Sequence, residues 1–228
     1  TLGLIGGISW VSTADYYRMI NQGINEKLGG LHFSQCLIYS FNYADIKRNN
    51  DNNDWESTFK MLSGACHFLK TGGAEAILLC ANTMHLLADR LEAATGLPLI
   101  HIATETAAEI KKKELRKVGL LGTKFTMELD FFRAKLSDRG IETIIPDEAD
   151  RQFIHNTIGD ELGKGIIKPE TQKRYLAISN QLIEQGAEGI IAGCTEIPLL
   201  LKQEDFRVPY FDTTTIHAQA AVRFALGE

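Results

Sequence analysis

Short apolar runs alternate with longer amphipathic segments along this chain. Residues 2–7 and 76–80 are brief, almost wholly apolar runs, as in strands that are covered on both faces. Residues 55–71 instead repeat an apolar side chain every three to four positions, which is typical of a helix with one buried face. Strands that alternate with helices form parallel sheets with helices on both faces. The pattern therefore predicts an α/β protein.

The predicted strands cover residues 2–7, 35–43, 76–80, 97–102 and 190–192. A first helix is predicted to begin at Ser9, Ser12 or Thr13 and to continue to about Leu28, and further helices cover residues 55–71 and about 84–95. The asparagine-rich segment 49–54 predicts a polar loop, which is either a surface turn or a lid that offers amides to a substrate.

One segment occurs twice in the chain. Residues 73–87 (GAEAILLCANTMHLL) align without gaps with residues 186–200 (GAEGIIAGCTEIPLL), 113 positions later. The apolar run at 118–123 likewise repeats the run at 2–7, 116 positions later. Repeats of this length indicate duplicated α/β units, because solenoid repeats span only ~20–50 residues.

The repeat predicts two pseudo-symmetric α/β domains, each with a parallel sheet. The first should comprise residues 1–102 with 213–228, and the second residues 103–212. Ligands of open α/β sheets bind beyond the carboxyl ends of the strands, so we expect the active site in the cleft between the domains. The alignment pairs Cys194 with Ala81, which should therefore lie on opposite walls of that cleft.

Cys194 stands between the end of a predicted strand and the start of a predicted helix. Thr195 could cap that helix, and Pro198 suits its first turn. Backbone N–H groups and the helix dipole favour an anion there, so we expect a lowered thiol pKa and a usable base. The nearby Cys80 aligns with Gly193, one residue out of register, and should point to the other face of its strand.

Composition narrows the class of protein. The 228 residues are 44% hydrophobic and 23% charged, with a formal net charge of −5, which argues against nucleic acid or an anionic membrane as the main partner. The amino end does not resemble a signal peptide, so the expected location is cytoplasmic. The four cysteines form no CxxC pair, which argues against a disulfide framework or a zinc site. Cys36, Cys66 and Cys80 are expected to be core residues.

Three motifs resemble the aspartate/glutamate racemase family, whose members work without a cofactor. They are Gly-Leu-Ile-Gly-Gly-Ile-Ser-Trp-Val-Ser-Thr at 3–13, Cys-Ala-Asn-Thr-Met-His at 80–85 and Gly-Cys-Thr-Glu at 193–196. The similarity covers essentially the whole chain and is strongest to the branch of broad or L-specific amino-acid racemases. It implies an isomerase acting at Cα of aspartate or glutamate, with neither metal nor pyridoxal phosphate. We expect a homodimer whose ligand is a small acidic amino acid or dicarboxylate.

The resemblance also assigns roles to individual residues. The family carries one cysteine in the Asn-Thr motif and one in the Gly-Cys-Thr motif; Cys194 matches the second, whereas Ala81 stands at the first. The similar L-specific branch has a threonine at that first position, and Thr83 offers a nearby hydroxyl here. With a single thiol, the reaction should be one-sided and L-selective. The expected substrate-binding residues are Ile8, Asn50, Asn82, Thr83, Lys164, Thr195 and Glu196.

Two alternatives stay open at this point. Decarboxylases of the same superfamily keep only the second-half cysteine, so the chain could instead decarboxylate malonate-type acids. It could also bind acidic amino acids without catalysis, having lost half of the catalytic pair. His85 and His217 are expected to be structural histidines rather than acid–base groups.

Overall fold

The computed structural model describes residues 1–228, which divide into two compact units. Unit 1 comprises Thr1–His101 and His217–Glu228, and unit 2 comprises Ile102–Ile216. The sequence placed the corresponding boundaries after residues 102 and 212. Each unit contains one four-stranded sheet in which all strands are parallel.

Unit 1 has strand order β2-β1-β3-β4. Its elements are β1 (Leu2–Gly6), α1 (Trp10–Leu28), β2 (Cys36–Ser40), α2 (Tyr43–Asp51), α3 (Trp55–Thr71), β3 (Ala76–Leu79), α4 (Ala88–Thr95) and β4 (Leu99–Ile100). A short 3₁₀ helix, Thr83–Leu87, joins β3 to α4.

Unit 2 has strand order β6-β5-β7-β8. Its elements are α5 (Ile102–Lys112), β5 (Lys117–Gly122), α6 (Lys124–Glu128), α7 (Asp130–Ser137), β6 (Glu142–Ile144), α8 (Glu148–Asp160), α9 (Pro169–Glu184), β7 (Ile190–Gly193), α10 (Ile197–Leu200) and β8 (Tyr210–Asp212). The last helix, α11 (Thr213–Leu226), begins in unit 2 and ends in unit 1. In both sheets the second strand of the unit lies at one edge, followed by the first, third and fourth strands. The two sheets therefore share one topology. The predicted α/β fold built from a duplicated unit is confirmed.

Alternate side chains of β1 and β3 enter two different cores of unit 1. One core holds Leu2, Leu4, Ala76, Leu78 and Cys80 together with Tyr16 and Ile20 of α1. The other holds Ile5, Ile77, Leu79 and Ala81 together with Leu62 and Leu69 of α3. This period of two is what a parallel strand covered on both faces requires. The same alternation places Cys80 and Ala81, the two residues after β3, in different cores.

The predicted polar loop at 49–54 is wrong in its first half, because residues 49–51 form the last turn of α2. The predicted strand 35–43 is also too long, since β2 ends at Ser40. Helix α2 is polar and supported by ion pairs, including Lys47–Asp51 at 2.5 Å across one turn. Pairs of this spacing stabilise a helix that has little apolar surface.

Across the chain, no helix combines the length and the apolar composition needed to cross a membrane.

Candidate active site

Cys80 and Ala81 follow β3 and face opposite sides of the sheet. Cys80 is fully buried in the core that contains Leu78, whereas Ala81 belongs to the core of Leu79. Burial raises the pKa of the Cys80 thiol far above its ordinary value. A thiol in this position is a poor candidate for proton transfer with a substrate.

Cys194 directly follows β7 and is 7% exposed. Its Sγ donates a hydrogen bond to Oε2 of Glu196 at 2.9 Å. The hydroxyl of Thr195 donates to the same carboxylate oxygen at 2.7 Å. One carboxylate oxygen therefore accepts from the thiol and from its neighbouring hydroxyl. The arrangement gives the thiol proton an acceptor within hydrogen-bond distance.

The expected lowering of the Cys194 pKa is wrong. Burial raises the pKa of this thiol well above its ordinary value, and the charge and hydrogen bond of Glu196 raise it further. Backbone N–H groups of Thr195 and Glu196 do lower the pKa, as the strand-to-helix position predicted, but they are the smaller effects. A thiolate here is disfavoured by removal from water and by a carboxylate beside it. The resting form is the thiol.

The predicted cap at Thr195 is also wrong, although Pro198 does lie in the first turn of α10. Glu196 occupies the cap position, and no side chain caps the helix. The Thr195 hydroxyl is used by the Glu196 carboxylate instead. The predicted helix at about 84–95 likewise starts differently, because Thr83–Leu87 is a 3₁₀ helix and α4 begins only at Ala88.

Buried side chains hold the loop after β3 by its carbonyl groups. Ser12 Oγ donates to the Cys80 carbonyl at 2.8 Å. His85 Nδ1 lies 3.0 Å from the Ala81 carbonyl and 3.2 Å from the Asn82 carbonyl. The sequence indicated Ser12 only as one possible start of the first helix, whose cap is in fact Ser9, and His85 only as a structural histidine. The i to i+4 spacing from Ala81 to His85 was the available signal, since a side chain one turn later can reach back to that carbonyl.

The remaining predicted substrate contacts have the following positions. Asn82 is 5% exposed and Thr83 is half-buried at the start of the 3₁₀ helix. Ile8 lies just beyond β1 and shares a core with Ala81. Asn50 is buried on α2, and its Oδ1 accepts from the Thr58 hydroxyl at 3.2 Å. Lys164 is exposed, with its Nζ 3.8 Å from Asp160.

Residues 5–221 match the sequence profile of the Asp/Glu/Hydantoin racemase family. The chain belongs to this family. As one of the Asp/Glu/hydantoin racemases it is an isomerase, and the resemblance seen in the sequence motifs is confirmed.

Individual relatives agree with the family assignment. The broad specificity amino-acid racemase RacX of Bacillus subtilis is 26% identical over 97% of this chain and 96% of its own. A Yersinia pestis protein proposed to be an Asp/Glu racemase is 49% identical, with a TM-score of 0.93 over 99% of this chain and 98% of its own. An aspartate racemase homologue from Pyrococcus horikoshii is 34% identical, with a TM-score of 0.86 over 99% of both chains.

Proposed function

We propose that this racemase acts at Cα of aspartate or glutamate, with Cys194 as the one thiol that exchanges a proton with the substrate. The observation that carries the proposal is the Cys194–Glu196 hydrogen bond at 2.9 Å. It joins a thiol, which can transfer a proton to carbon, with a carboxylate that can take the thiol proton. The names of the relatives, which include aspartate and broad-specificity racemases, support the substrate class.

The proposed reaction begins when the Cys194 proton moves to Glu196. The thiolate then removes the Cα proton, and the electron pair left at Cα spreads into the substrate carboxylate as an enediolate. Backbone donors aimed at the carboxylate oxygens stabilise that charge, and we assign this role to Asn82 and Thr83. The thiol exchanges the acquired proton with solvent and returns a solvent proton to the same face of Cα, which regenerates the starting enantiomer. The resulting thiolate then takes back the proton held by Glu196.

Ala81 makes the proposed reaction one-sided. Its methyl group cannot carry a proton, yet the internal repeat pairs this position with Cys194. Inversion then needs a proton from water or from a hydroxyl such as that of Thr83. A positioned acid or base contributes roughly 10²–10⁴-fold, so net racemisation should be much slower than exchange. By resemblance to the family, Cys194 serves the L-enantiomer.

Incubation with L- or D-aspartate in deuterated water tests this proposal. Proton NMR follows loss of the Cα hydrogen, and circular dichroism follows net inversion. We expect exchange of the L-enantiomer mostly with retention, a loss of several orders of magnitude in Cys194→Ser, and nearly full activity in the matched control Cys80→Ala. Equal and fast racemisation of both enantiomers would contradict the one-sided mechanism.

The lone thiol is also what favours the decarboxylase alternative. Release of CO₂ from malonate-type acids, without exchange at aspartate Cα, would establish it. Measurable binding of aspartate with neither reaction would instead indicate a binding protein.

Our proposal includes a cytoplasmic homodimer that needs neither pyridoxal phosphate nor metal. Sedimentation measures the oligomeric state, and full activity after dialysis against a chelator is the expected result. Activity that is lost on chelation and restored by a metal would contradict it.

A further inference from the structure

Three successive carbonyl groups after β3 are held by buried side chains. The Cys80 carbonyl accepts from Ser12 at 2.8 Å. The carbonyls of Ala81 and Asn82 lie 3.0 and 3.2 Å from Nδ1 of His85. The Asn82 carbonyl also accepts the backbone N–H of His85 at 3.1 Å, so only the Ala81 carbonyl depends on the imidazole alone. Ser12 and His85 are 3% and 2% exposed, so water does not compete with their side chains for these carbonyl groups.

Holding a carbonyl also fixes the direction of an N–H group. In a trans peptide unit, the C=O of one residue and the N–H of the next point in opposite directions. Fixing the Ala81 carbonyl therefore fixes the Asn82 N–H, and fixing the Asn82 carbonyl fixes the Thr83 N–H. Both N–H groups point away from the imidazole of His85. They are the donors assigned above to the substrate carboxylate.

His85 is itself held rigidly as a donor. A carbonyl only accepts hydrogen bonds, so Nδ1 carries the proton of the neutral ring. Burial, and then the neighbouring His101, lower the pKa of His85 to about 3. The ring packs against His101 and His217, with centroids 4.9 and 5.2 Å away. His217 is fixed in turn, because its Nδ1 lies 2.8 Å from the hydroxyl of Tyr16.

We propose that His85 is a positioning residue of this racemase: its imidazole aims the Asn82 N–H group at the substrate by anchoring the Ala81 carbonyl, and it supports the Thr83 N–H group through the Asn82 carbonyl. This inference rests on the proposed function and extends it to a residue outside the reacting groups. The repeat aligns His85 with Pro198, whose side chain has no donor. The His85 anchor thus occurs only in unit 1, whereas Cys194 belongs to unit 2.

Two substitutions separate anchoring from packing. His85→Phe keeps an aromatic ring in the core but removes the donor. His85→Asn loses most of the ring yet keeps an N–H donor at about the position of Nδ1. If His85 anchors the loop, Asn should retain kcat for Cα exchange within about threefold. Phe should lower kcat roughly 10–100-fold, which is less than the loss of a whole oxyanion donor because the N–H groups are misaimed rather than removed.

The KM of L-aspartate should change less than kcat in His85→Phe. The enediolate carries more negative charge than the ground-state carboxylate, so misaimed donors cost more in the transition state. A purely structural role predicts the opposite order of variants, with Phe close to wild type and Asn impaired. That order would overturn the inference.

A measurement without turnover tests the geometry directly. Nitrogen-15 NMR of histidine-labelled wild-type protein at pH 7.5 should show His85 neutral and protonated at Nδ1. A ring protonated at Nε2 alone would overturn the inference whatever the kinetics. Wild-type exchange with an unaffected His85→Phe variant would overturn only this inference. A wild type that neither exchanges nor binds L-aspartate would overturn the proposed function and this inference with it.

Discussion

Replacing Glu196 by Gln should lower the pKa of the Cys194 thiol. The substitution removes the negative charge beside the sulfur while keeping nearly the same side-chain shape. In the wild type that charge is, after burial, the main reason why the pKa is raised. The thiolate of Glu196→Gln should therefore form at lower pH, although the variant lacks the proton acceptor that we propose for catalysis.

The separation of the two groups sets the size of the effect. Sγ and Oε2 are 2.9 Å apart. Two unit charges at that distance repel by about 1.4 kcal/mol even at the dielectric constant of water, and by more in a buried site. This corresponds to a decrease of at least about one pKa unit on removal of the charge. Burial still acts in the variant, so its pKa should stay above that of a free thiol.

The pH dependence of alkylation by iodoacetamide measures this pKa. Mass spectrometry of the peptide containing Cys194 follows one thiol, and the partly buried Cys36 in the same sample is an internal reference. Glu188→Gln is a matched control, because Glu188 precedes β7 and lies about 20 Å along the chain from Cys194. Its charge is paired with backbone N–H groups of Arg116 and Lys117, away from the thiol.

A profile for Glu196→Gln within 0.3 units of wild type, a threshold set at roughly a third of the expected shift, would refute this reasoning. The raised pKa would then be a consequence of burial alone. A shift of equal size in Glu188→Gln would show that the effect is not local. An unchanged profile would also remove the electrostatic support for Glu196 as the proton acceptor in the proposed reaction.

Three further predictions concern the buried histidines, two glycines with positive φ, and Ala81. Folding lowers the pKa values of His85 and His217 below the unfolded value of about 6.5. Their contribution to the free energy of unfolding is therefore complete above that pH and is lost as the pH falls. Urea unfolding at pH 5 should show a loss of about 2 kcal/mol from His85 relative to pH 7, with a further loss from His217, and an unchanged midpoint would contradict it. Gly7→Ala should destabilise the protein by about 3 kcal/mol or more, because its φ is +80° and the new methyl would collide with a backbone carbonyl, whereas Gly73→Ala, with φ +97° and open space, should cost about 1 kcal/mol in thermal melts. Ala81→Cys should raise net racemisation of aspartate, measured by circular dichroism, and no gain in a folded variant would count against the assigned pairing.

The fold was largely predictable because the strand periodicity and the internal repeat are both visible in the sequence itself. The run at 76–80 and its copy at 190–192 predicted β3 and β7, and their shared register predicted that Cys80 and Ala81 face different cores. Helix α2 was missed because its residues have almost no apolar period; ion pairs and the Asn42 cap, whose Oδ1 accepts from the Ala44 N–H at 3.4 Å, define it instead.

The electrostatics of Cys194 could not be predicted from its position in the chain. The sequence shows that a helix start follows the thiol, but it does not show how deeply the sulfur is buried or where the Glu196 side chain turns. Helix α10 is also only four residues long, from Ile197 to Leu200, and a short helix has a weak dipole. Burial and a neighbouring carboxylate each outweigh the few backbone donors.

The repeat has a further consequence for the empty position at Ala81. The same offset that pairs Ala81 with Cys194 pairs Thr83 with Glu196, so the first unit has a hydroxyl where the second has a carboxylate. A thiol introduced by Ala81→Cys would be buried, because Ala81 is 8% exposed, but it would lack the repulsion that raises the pKa of Cys194. Its pKa should therefore lie closer to that of a free thiol. Proton exchange at the two faces of Cα would then depend differently on pH, with the new thiol active at lower pH. Identical pH profiles for the two enantiomers would show that the carboxylate does not distinguish the two halves.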